Sequence, residues 1–419
     1  MDKFIIQGGR QLSGEYCING AKNAILAIMA ASLLSDEQVV LTGVPMLEDV
    51  HVMSEVLSHY GAKVLCEDST FIILADNLHK RRPPEQLLRR MRASNLVLGP
   101  LLARLGEIDL TFPGGCAIGE RPMDYHIQAL TALGADVDDS GNTITARIGV
   151  LGLRGQDIYF DFPSVGATEN VIMAAVTAKG ETVIHNAARE PEVIDLILFL
   201  RKMGAEIHGE GTDTLKINGV ARLHGTEYKV MPDRIEAGTL MCAAAICGGD
   251  LRLNDCRPDD MYSVIAKLEE LGVIIDKDAG GVRVRSRFRP RSVDIRTMPF
   301  PGFPTDMQPQ FMSLMSISSG VSIISENIFE NRFHHVGELR RMGADIRIIG
   351  KAAVVKGRWK LHGAHVEASD LRAGAALVLA ALAAEGESII ENIRHIDRGY
   401  QNFDLVLTSL GAEIKRENT

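Results

Sequence analysis

The length and composition of the chain indicate a globular protein of two or three domains. It has 419 residues, of which 46% are hydrophobic, and this is enough for large buried cores. A formal net charge of −9 disfavours general nucleic-acid binding, which requires a basic surface. No apolar run is long enough to span a membrane, and the N-terminus lacks the features of a signal peptide. We therefore expect a cytoplasmic protein whose partners include neither nucleic acid nor a membrane.

A sequence phrase that recurs six times organises the chain. Each copy is an amphipathic helical pattern that ends in Gly-Ala or Gly-Val and continues into an apolar strand pattern. Because glycine adopts a left-handed backbone at little cost, we expect each of these glycines to cap the C-terminus of its helix. The six glycines recur roughly every 70 residues: Gly61, Gly134, Gly204, Gly272, Gly343 and Gly411.

The earlier half of each repeat predicts the fold class. It begins with a helix rich in small apolar residues, such as ATENVIMAAVTA or LRAGAALVLAALAA, and a helix that is apolar all round is buried. A β-branched run such as ETVIHNA or ESIIENI then predicts a strand. Six such units exceed one core, so the pattern predicts an α/β protein with two domains of three units each. The break between them is predicted near residues 225–233.

Charged side chains fall at two equivalent places in these units. One set opens the buried helices, and the other lies in the loop after the first strand of the unit. If both domains present these ends to a common cleft, five cations form a pocket for phosphate and carboxylate groups: Lys22, Arg121, Arg332, Arg372 and Arg398. The helix-start set is Lys22, Asn23, Arg92, Asp233, Arg234, Asp306 and Arg372, and the loop set is Asp49, Cys116, Arg121, Glu190, Arg332 and Arg398.

The segment TFPGGCAIGERPMDYH at residues 111–126 has the composition of a mobile lid. A lone cysteine is usually a small buried hydrophobe, but the glycines and charges around Cys116 indicate exposure. The nearby cation Arg121 favours a reactive thiolate, so Cys116 is predicted to donate a proton or to attack an electrophile. No CxxC or HExxH spacing occurs, and we expect neither disulfides, a metal nor a cofactor.

Motifs along the whole chain resemble those of the UDP-N-acetylglucosamine 1-carboxyvinyltransferases, an enolpyruvyl transferase family. The resemblance implies a two-domain inside-out α/β barrel of six βαβαββ-like units, three per domain, with buried helices inside. It places the first domain at residues 20–229 and the second at residues 1–19 plus 230–419. The motifs are NGAKNAIL, MRAS, PGGCAIGERPMD, SVGATEN, AREPE, MPDRIEAGT, GFPTDMQ, ENRFHH, DLRA and HIDRGY. Three residues depart from the family pattern: Asn19, where a serine is common, Glu120 and Tyr125.

The resemblance also implies a reaction. The enolpyruvyl group of phosphoenolpyruvate moves to the 3-hydroxyl of UDP-N-acetylglucosamine through a tetrahedral intermediate, phosphate is released, and peptidoglycan biosynthesis is thereby committed. Asp306 would accept the hydroxyl proton, while Cys116 would protonate C3 of phosphoenolpyruvate or form an adduct at C2. Closure of the segment from Gly114 to Gly119 would exclude water.

The same resemblance assigns the remaining site residues. The catalytic set comprises Cys116, Asp306, Lys22 and Arg398. Phosphoenolpyruvate would be bound by Lys22, Asn23, Arg121, Arg332, Arg372 and Arg398. UDP-N-acetylglucosamine would be bound by Asn23, Arg92, Arg121, Pro122, Met123, Asp124, Tyr125, Ser164, Val165, Asp306 and Ile328.

Two other functions remain open from the sequence. A shikimate-type enolpyruvyl transferase shares the fold and the donor but lacks the cysteine lid, so segment 111–126 argues against it. A non-catalytic paralogue that senses UDP-N-acetylglucosamine is disfavoured because every proposed catalytic residue is present. Cys116 further predicts alkylation by the epoxide fosfomycin. The sequence makes no prediction of an oligomeric state.

Overall fold

The structure, a computed structural model, describes residues 2–111, 119, 123–141 and 143–418. Helices and strands are interspersed along the three longer segments. The helices are α1 (Lys22–Ala31), α2 (Glu48–His59), α3 (Glu85–Arg90), α4 (Leu98–Leu105), α5 (Asp124–Ala132), α6 (Val165–Ala175), α7 (Pro191–Lys202), α8 (Arg234–Cys247), α9 (Tyr262–Glu270), α10 (Gln308–Ser316), α11 (Val336–Arg341), α12 (Leu371–Ala383), α13 (Arg394–Asp397) and α14 (Phe403–Ser409). Short 3-10 helices span Ser32–Leu34, Arg92–Val97, Pro258–Met261 and Thr305–Met307.

The strands form six sheets within the described residues. They are β1 (Lys3–Gln7), β2 (Ser13–Cys17), β3 (Val39–Thr42), β4 (Lys63–Glu67), β5 (Thr70–Leu74), β6 (Glu107–Thr111), β7 (Ala135–Asp138), β8 (Thr143–Ile148), β9 (Asp157–Tyr159), β10 (Glu181–His185), β11 (Glu206–His208), β12 (Thr214–Asn218), β13 (Glu227–Lys229), β14 (Asp250–Asn254), β15 (Ile274–Asp278), β16 (Gly281–Arg285), β17 (Ile295–Arg296), β18 (Val321–Ser325), β19 (Asp345–Ile349), β20 (Ala352–Lys356), β21 (His365–Glu367), β22 (Glu387–Glu391) and β23 (Glu413–Glu417).

The described chain divides into two compact units. The first contains the segment up to Asn19, Gly119, and everything from Pro232 onward. The second contains the remaining described residues from Gly20 to Met231. Each unit has its own hydrophobic core. The predicted fold class, a two-domain α/β protein of repeated units, is confirmed.

The glycine that closes each repeat is a left-handed helix cap, as predicted. All six have backbone φ angles between +93° and +102°. A β-carbon in this region of φ/ψ space is strained, which explains why glycine recurs there. The predicted strands are two residues too long in ETVIHNA and ESIIENI, because Asn186 and Asn392 adopt φ angles of +54° and +56° and end the extended ladder.

The apolar helices form the centre of each unit. In the first unit α8, α10 and α12 pack against one another, and nearly all of their residues are buried. In the second unit α4 packs on α6, while α1 packs on α7 and on the 3-10 helix Arg92–Val97. The buried helix predicted to begin at Arg92 starts as the 3-10 helix Arg92–Val97 and becomes α-helical at Leu98. Pro100 explains this, because its ring clashes with the carbonyl four residues earlier in an α-helix.

Two strands next to the points where the chain passes between the units pair within their own unit. In the first unit β2 pairs in parallel with β14, although β2 precedes α1 in the chain. In the second unit β13 pairs in parallel with β3, although β13 precedes α8. Strand β1 lies between β22 and β23, so the start and end of the described chain share one sheet.

Candidate functional site

Asp306 lies between two buried arginines in the 3-10 helix that leads into α10. Its Oδ1 accepts a hydrogen bond from Arg332 Nη2 at 3.1 Å, and its Oδ2 accepts one from Arg372 Nη2 at 3.1 Å. The arginine side chains are 2% and 4% exposed, whereas that of Asp306 is 27% exposed. Asp306 is thus a partly open carboxylate whose two oxygens are each held by a buried arginine.

Arg372 makes several contacts besides its bond to Asp306. It is the second residue of α12, and its backbone N–H donates to the capping carboxylate of Asp370 at 3.0 Å. Its guanidinium lies 5.5 Å from the centre of the Tyr400 ring. Burial opposes the charge, but Tyr400, Asp306 and Asp233 outweigh burial and raise the pKa of Arg372. The Tyr400 hydroxyl also hydrogen-bonds the Arg372 side chain, so this buried cation is held by both Asp306 and Tyr400.

Lys22 forms a buried ion pair at the start of α1. Its Nζ lies 2.7 Å from Asp49 Oδ2, and the two side chains are 10% and 3% exposed. Asp49 was expected in a loop but lies in the first turn of α2, which packs against α1. The neighbouring Asn23 is exposed. Lys22 therefore provides a compact cation whose burial is offset by one carboxylate.

A second group of predicted residues gathers at the start of α6. Ser164 caps this helix, and its Oγ accepts a hydrogen bond from the Ala167 N–H at 3.4 Å. The Asn170 side-chain nitrogen lies 3.1 Å from His126 Nδ1, which ties α6 to the start of α5. Burial and the nearby Arg92 lower the pKa of His126 to about 4, so this imidazole is neutral at pH 7. The residues gathered here are Arg92, Met123, Asp124, Tyr125, Ser164 and Val165, and Tyr125 packs edge-to-face on Phe160 at 5.7 Å between ring centres.

The structure describes some of the remaining predicted site residues, and others lie outside the described part of the chain. Arg398 is half-buried directly after α13, in a helical turn rather than a plain loop, and Ile328 is half-buried three residues after β18. Cys116, Arg121 and Pro122 lie outside the described residues, as does most of the predicted lid. Within the described segments no group of three His, Cys, Asp or Glu side chains could hold a metal ion. No helix in the same part of the chain is long and apolar enough to cross a bilayer.

A buried acidic centre was missed by the sequence interpretation. Glu236 in α8 is 4% exposed, and its Oε2 accepts the Asn19 backbone N–H at 2.8 Å. Its Oε1 accepts the Asn19 side-chain amide at 3.0 Å and the Tyr16 hydroxyl at 3.3 Å. Burial and the nearby Asp233 raise the pKa of Glu236 to about 7. The only available signal was Asn19 itself, which the resemblance marked as a departure from the family pattern.

Glu236 should make stability depend on pH near neutrality. Its pKa is about 7 in the folded protein and 4.5 in a model peptide, so its favourable contribution is complete below the unfolded pKa and is lost as pH rises through 7. In the wild type we expect the free energy of unfolding to fall by about 3 kcal/mol between about pH 5 and about pH 8 because of Glu236. Glu236→Gln should not show this fall. Urea denaturation across this pH range measures it. The exposed Glu55→Gln is the control, and an unchanged decline in Glu236→Gln would contradict the expectation.

Comparison with known proteins shows the family of the chain. A family model for EPSP synthase (3-phosphoshikimate 1-carboxyvinyltransferase) matches residues 6–407. The chain belongs to this family. Within the EPSP synthase family it is 52% identical over 418 residues to the UDP-N-acetylglucosamine 1-carboxyvinyltransferase of Nitratidesulfovibrio vulgaris, with 100% of both chains covered. It is 51% identical over 416 residues to UDP-N-acetylglucosamine 1-carboxyvinyltransferase 1 of Caldanaerobacter subterraneus, with 99% of each chain covered.

Solved structures of EPSP synthase family members and their relatives share the fold. The enolpyruvyl transferase NikO of Streptomyces tendae has a TM-score of 0.90 at 24% identity, covering 100% of this chain and 99% of its own. EPSP synthase of Acinetobacter baumannii has a TM-score of 0.75 at 17% identity, covering 100% of both chains. The resemblance predicted from the motifs is confirmed at the level of the family and the fold.

Proposed function

We propose that this protein transfers the enolpyruvyl group of phosphoenolpyruvate to the 3-hydroxyl of UDP-N-acetylglucosamine and releases phosphate. The observation that carries the proposal is the carboxylate of Asp306 held between the buried cations Arg332 and Arg372. It occurs in a chain about half identical, along its whole length, to proteins named for this reaction. The activity would commit UDP-N-acetylglucosamine to peptidoglycan biosynthesis in the cytoplasm.

Phosphoenolpyruvate is recognised through its two anionic groups. Its phosphate and carboxylate require several cationic donors, and guanidinium groups bind both in a bidentate manner. In the free protein Asp306 neutralises part of the arginine charge, so the incoming phosphate competes with it for Arg372. Asn23 contributes a neutral contact. The proposed cations are Lys22, Arg121, Arg332, Arg372 and Arg398.

The chemistry is an addition followed by an elimination. As the sugar 3-oxygen bonds to C2, Asp306 accepts the hydroxyl proton and Cys116 delivers a proton to C3, which gives the tetrahedral intermediate. The Cys116 thiolate then takes a proton back from C3 as the C2–O bond to phosphate breaks, which restores the double bond. The arginines stabilise the negative charge on the departing phosphate. In the alternative role of Cys116, its sulfur adds to C2 as its proton passes to C3, and the sugar 3-oxygen later displaces it as a thiolate.

UDP-N-acetylglucosamine is bound by the group of residues at the starts of α5 and α6. Ser164, as a helix cap, leaves N–H groups of α6 directed outward, which favours an anionic diphosphate. Arg92 adds a cation beside them. The other proposed contacts are Asn23, Arg121, Pro122, Met123, Asp124, Tyr125, Val165, Asp306 and Ile328.

Phosphate release tests the proposal directly. Phosphoenolpyruvate is supplied with UDP-N-acetylglucosamine or with shikimate 3-phosphate, each with and without fosfomycin. We expect release only with the sugar nucleotide, and inhibition by fosfomycin. Release only with shikimate 3-phosphate would assign the other acceptor. A folded protein that binds UDP-N-acetylglucosamine but releases no phosphate would instead be a sensor.

Replacement of the predicted reactive thiol should slow the reaction strongly. We expect Cys116→Ser to lower kcat by about 100-fold to 10,000-fold, because a serine hydroxyl is a much weaker acid and nucleophile. The same variant should no longer be alkylated by fosfomycin, which intact-protein mass spectrometry detects. Cys66→Ser, at an exposed cysteine, is the matched control. Alkylation that persists in Cys116→Ser would exclude this cysteine as the target.

A further inference from the structure

Two segments that the proposed function uses meet at one carboxylate, that of Glu326. One is the turn Thr305–Met307, which carries Asp306. The other is the segment after β18, which carries Ile328. Glu326 follows β18 directly and is 2% exposed. A buried carboxylate is costly unless its oxygens are hydrogen-bonded, so its partners show what it is fixed to.

The two oxygens of Glu326 have separate sets of donors. Oε1 accepts the backbone N–H of Ile328 at 2.9 Å and of Phe329 at 3.2 Å. It also accepts the hydroxyl of Thr297 at 2.8 Å. Oε2 accepts the hydroxyl of Thr305 at 3.1 Å. The Oε1 contacts thus hold the segment after β18 and the residue after β17, while the Oε2 contact reaches the turn that carries the proposed base.

Thr305 is held from both its side chain and its backbone. Its hydroxyl donates to Glu326, and its carbonyl accepts from Arg332 Nη2 at 3.2 Å. The same Nη2 donates to Asp306 Oδ1 at 3.1 Å. Because Thr305 directly precedes Asp306, contacts that fix residue 305 also fix the direction in which the Asp306 carboxylate leaves the chain.

We propose that Glu326 is a positioning residue for Asp306 and acts through the Thr305 hydroxyl. The inference rests on the proposed role of Asp306 as the base. The Oε1 contacts alone would fix the ends of β17 and β18, whereas the Oε2 bond serves only the turn that carries Asp306. Misplacing a reacting group by about 1 Å can lower a rate about 100-fold, so one hydrogen bond at this position has a measurable effect.

Variants of Thr305 isolate this hydrogen bond. Thr305→Val removes the hydroxyl and keeps the branched shape, so we expect kcat to fall about 10-fold to 100-fold with KM for phosphoenolpyruvate within about threefold. Thr305→Ser keeps the hydroxyl and is the matched control, with kcat near that of the wild type. Glu326→Gln can place its amide oxygen at Oε1 and its NH₂ at Oε2, where the Thr305 hydroxyl turns to accept. It should therefore retain activity that Glu326→Ala loses.

A double-mutant cycle of Thr305→Val with Asp306→Asn tests whether the Thr305 hydroxyl acts through Asp306. The quantity measured is the single-turnover rate. The inference expects Thr305→Val to slow the wild type but to add no further loss to Asp306→Asn. Equal slowing in both backgrounds, or a wild-type rate for Thr305→Val alone, would overturn it while leaving Asp306 as the base. A wild-type rate for Asp306→Asn alone would remove the base and, with it, the inference.

Discussion

Asp306→Asn is expected to lower kcat about 1,000-fold and to leave KM for both substrates within about tenfold. Asparagine has almost the same shape as aspartate but cannot take a proton from the sugar hydroxyl. Its amide oxygen can still accept from Arg332 or Arg372, so much of the local structure should persist. The loss should therefore appear in the chemical step rather than in substrate binding.

Steady-state kinetics and calorimetric binding of UDP-N-acetylglucosamine separate these effects. Asp345→Asn is the matched control, because Asp345 also accepts from an arginine, Arg358 at 2.9 Å, but has no proposed role. It should keep the wild-type kcat. Wild-type turnover in Asp306→Asn would exclude Asp306 as the base. Loss of folding in that variant would assign the residue to structure.

Lys22→Met is expected to lower kcat/KM by about 100-fold or more and to destabilise the fold by about 3–5 kcal/mol. Methionine has a similar length but no charge. The buried Asp49 carboxylate then loses the ammonium partner at 2.7 Å, while the proposed phosphate site loses a cation. Enzyme kinetics and chemical denaturation measure the two losses separately.

The double variant Lys22→Met/Asp49→Asn distinguishes structure from function. Removing both charges of a buried pair costs much less stability than removing one, so most of the lost stability should return. Activity should not return, because the cation is still absent. Recovery of both stability and activity would show that Lys22 serves only to neutralise Asp49.

Much of the fold could be predicted because each repeat contains local sequence signals, namely a glycine at a helix end and a helix that is apolar all round. A left-handed glycine, such as Gly204, ends a helix through its own backbone freedom. A helix such as α12 is apolar on every side and has to be buried. Strand ends were less predictable, because Asn186 and Asn392 stop the ladder through backbone conformation rather than through hydrophobicity.

The candidate site was only partly predictable for the opposite reason. The repeat predicted that Asp306 and Arg372 open buried helices, and the structure places both there. Their mutual contact joins residues 66 positions apart and requires the folded chain. The bonds between Asn19 and Glu236 span 217 positions and leave no local pattern.

The structure of the reaction product tests the central claim most directly. The wild-type protein is incubated with phosphoenolpyruvate and UDP-N-acetylglucosamine, and the nucleotide product is isolated and examined by NMR. We predict two vinyl protons and a correlation from the sugar H3 to the enol carbon, as expected for a 3-enolpyruvyl ether. A parallel incubation contains shikimate 3-phosphate as the acceptor. Unchanged UDP-N-acetylglucosamine in the first sample, together with transfer of the vinyl group to shikimate 3-phosphate in the second, would contradict the account.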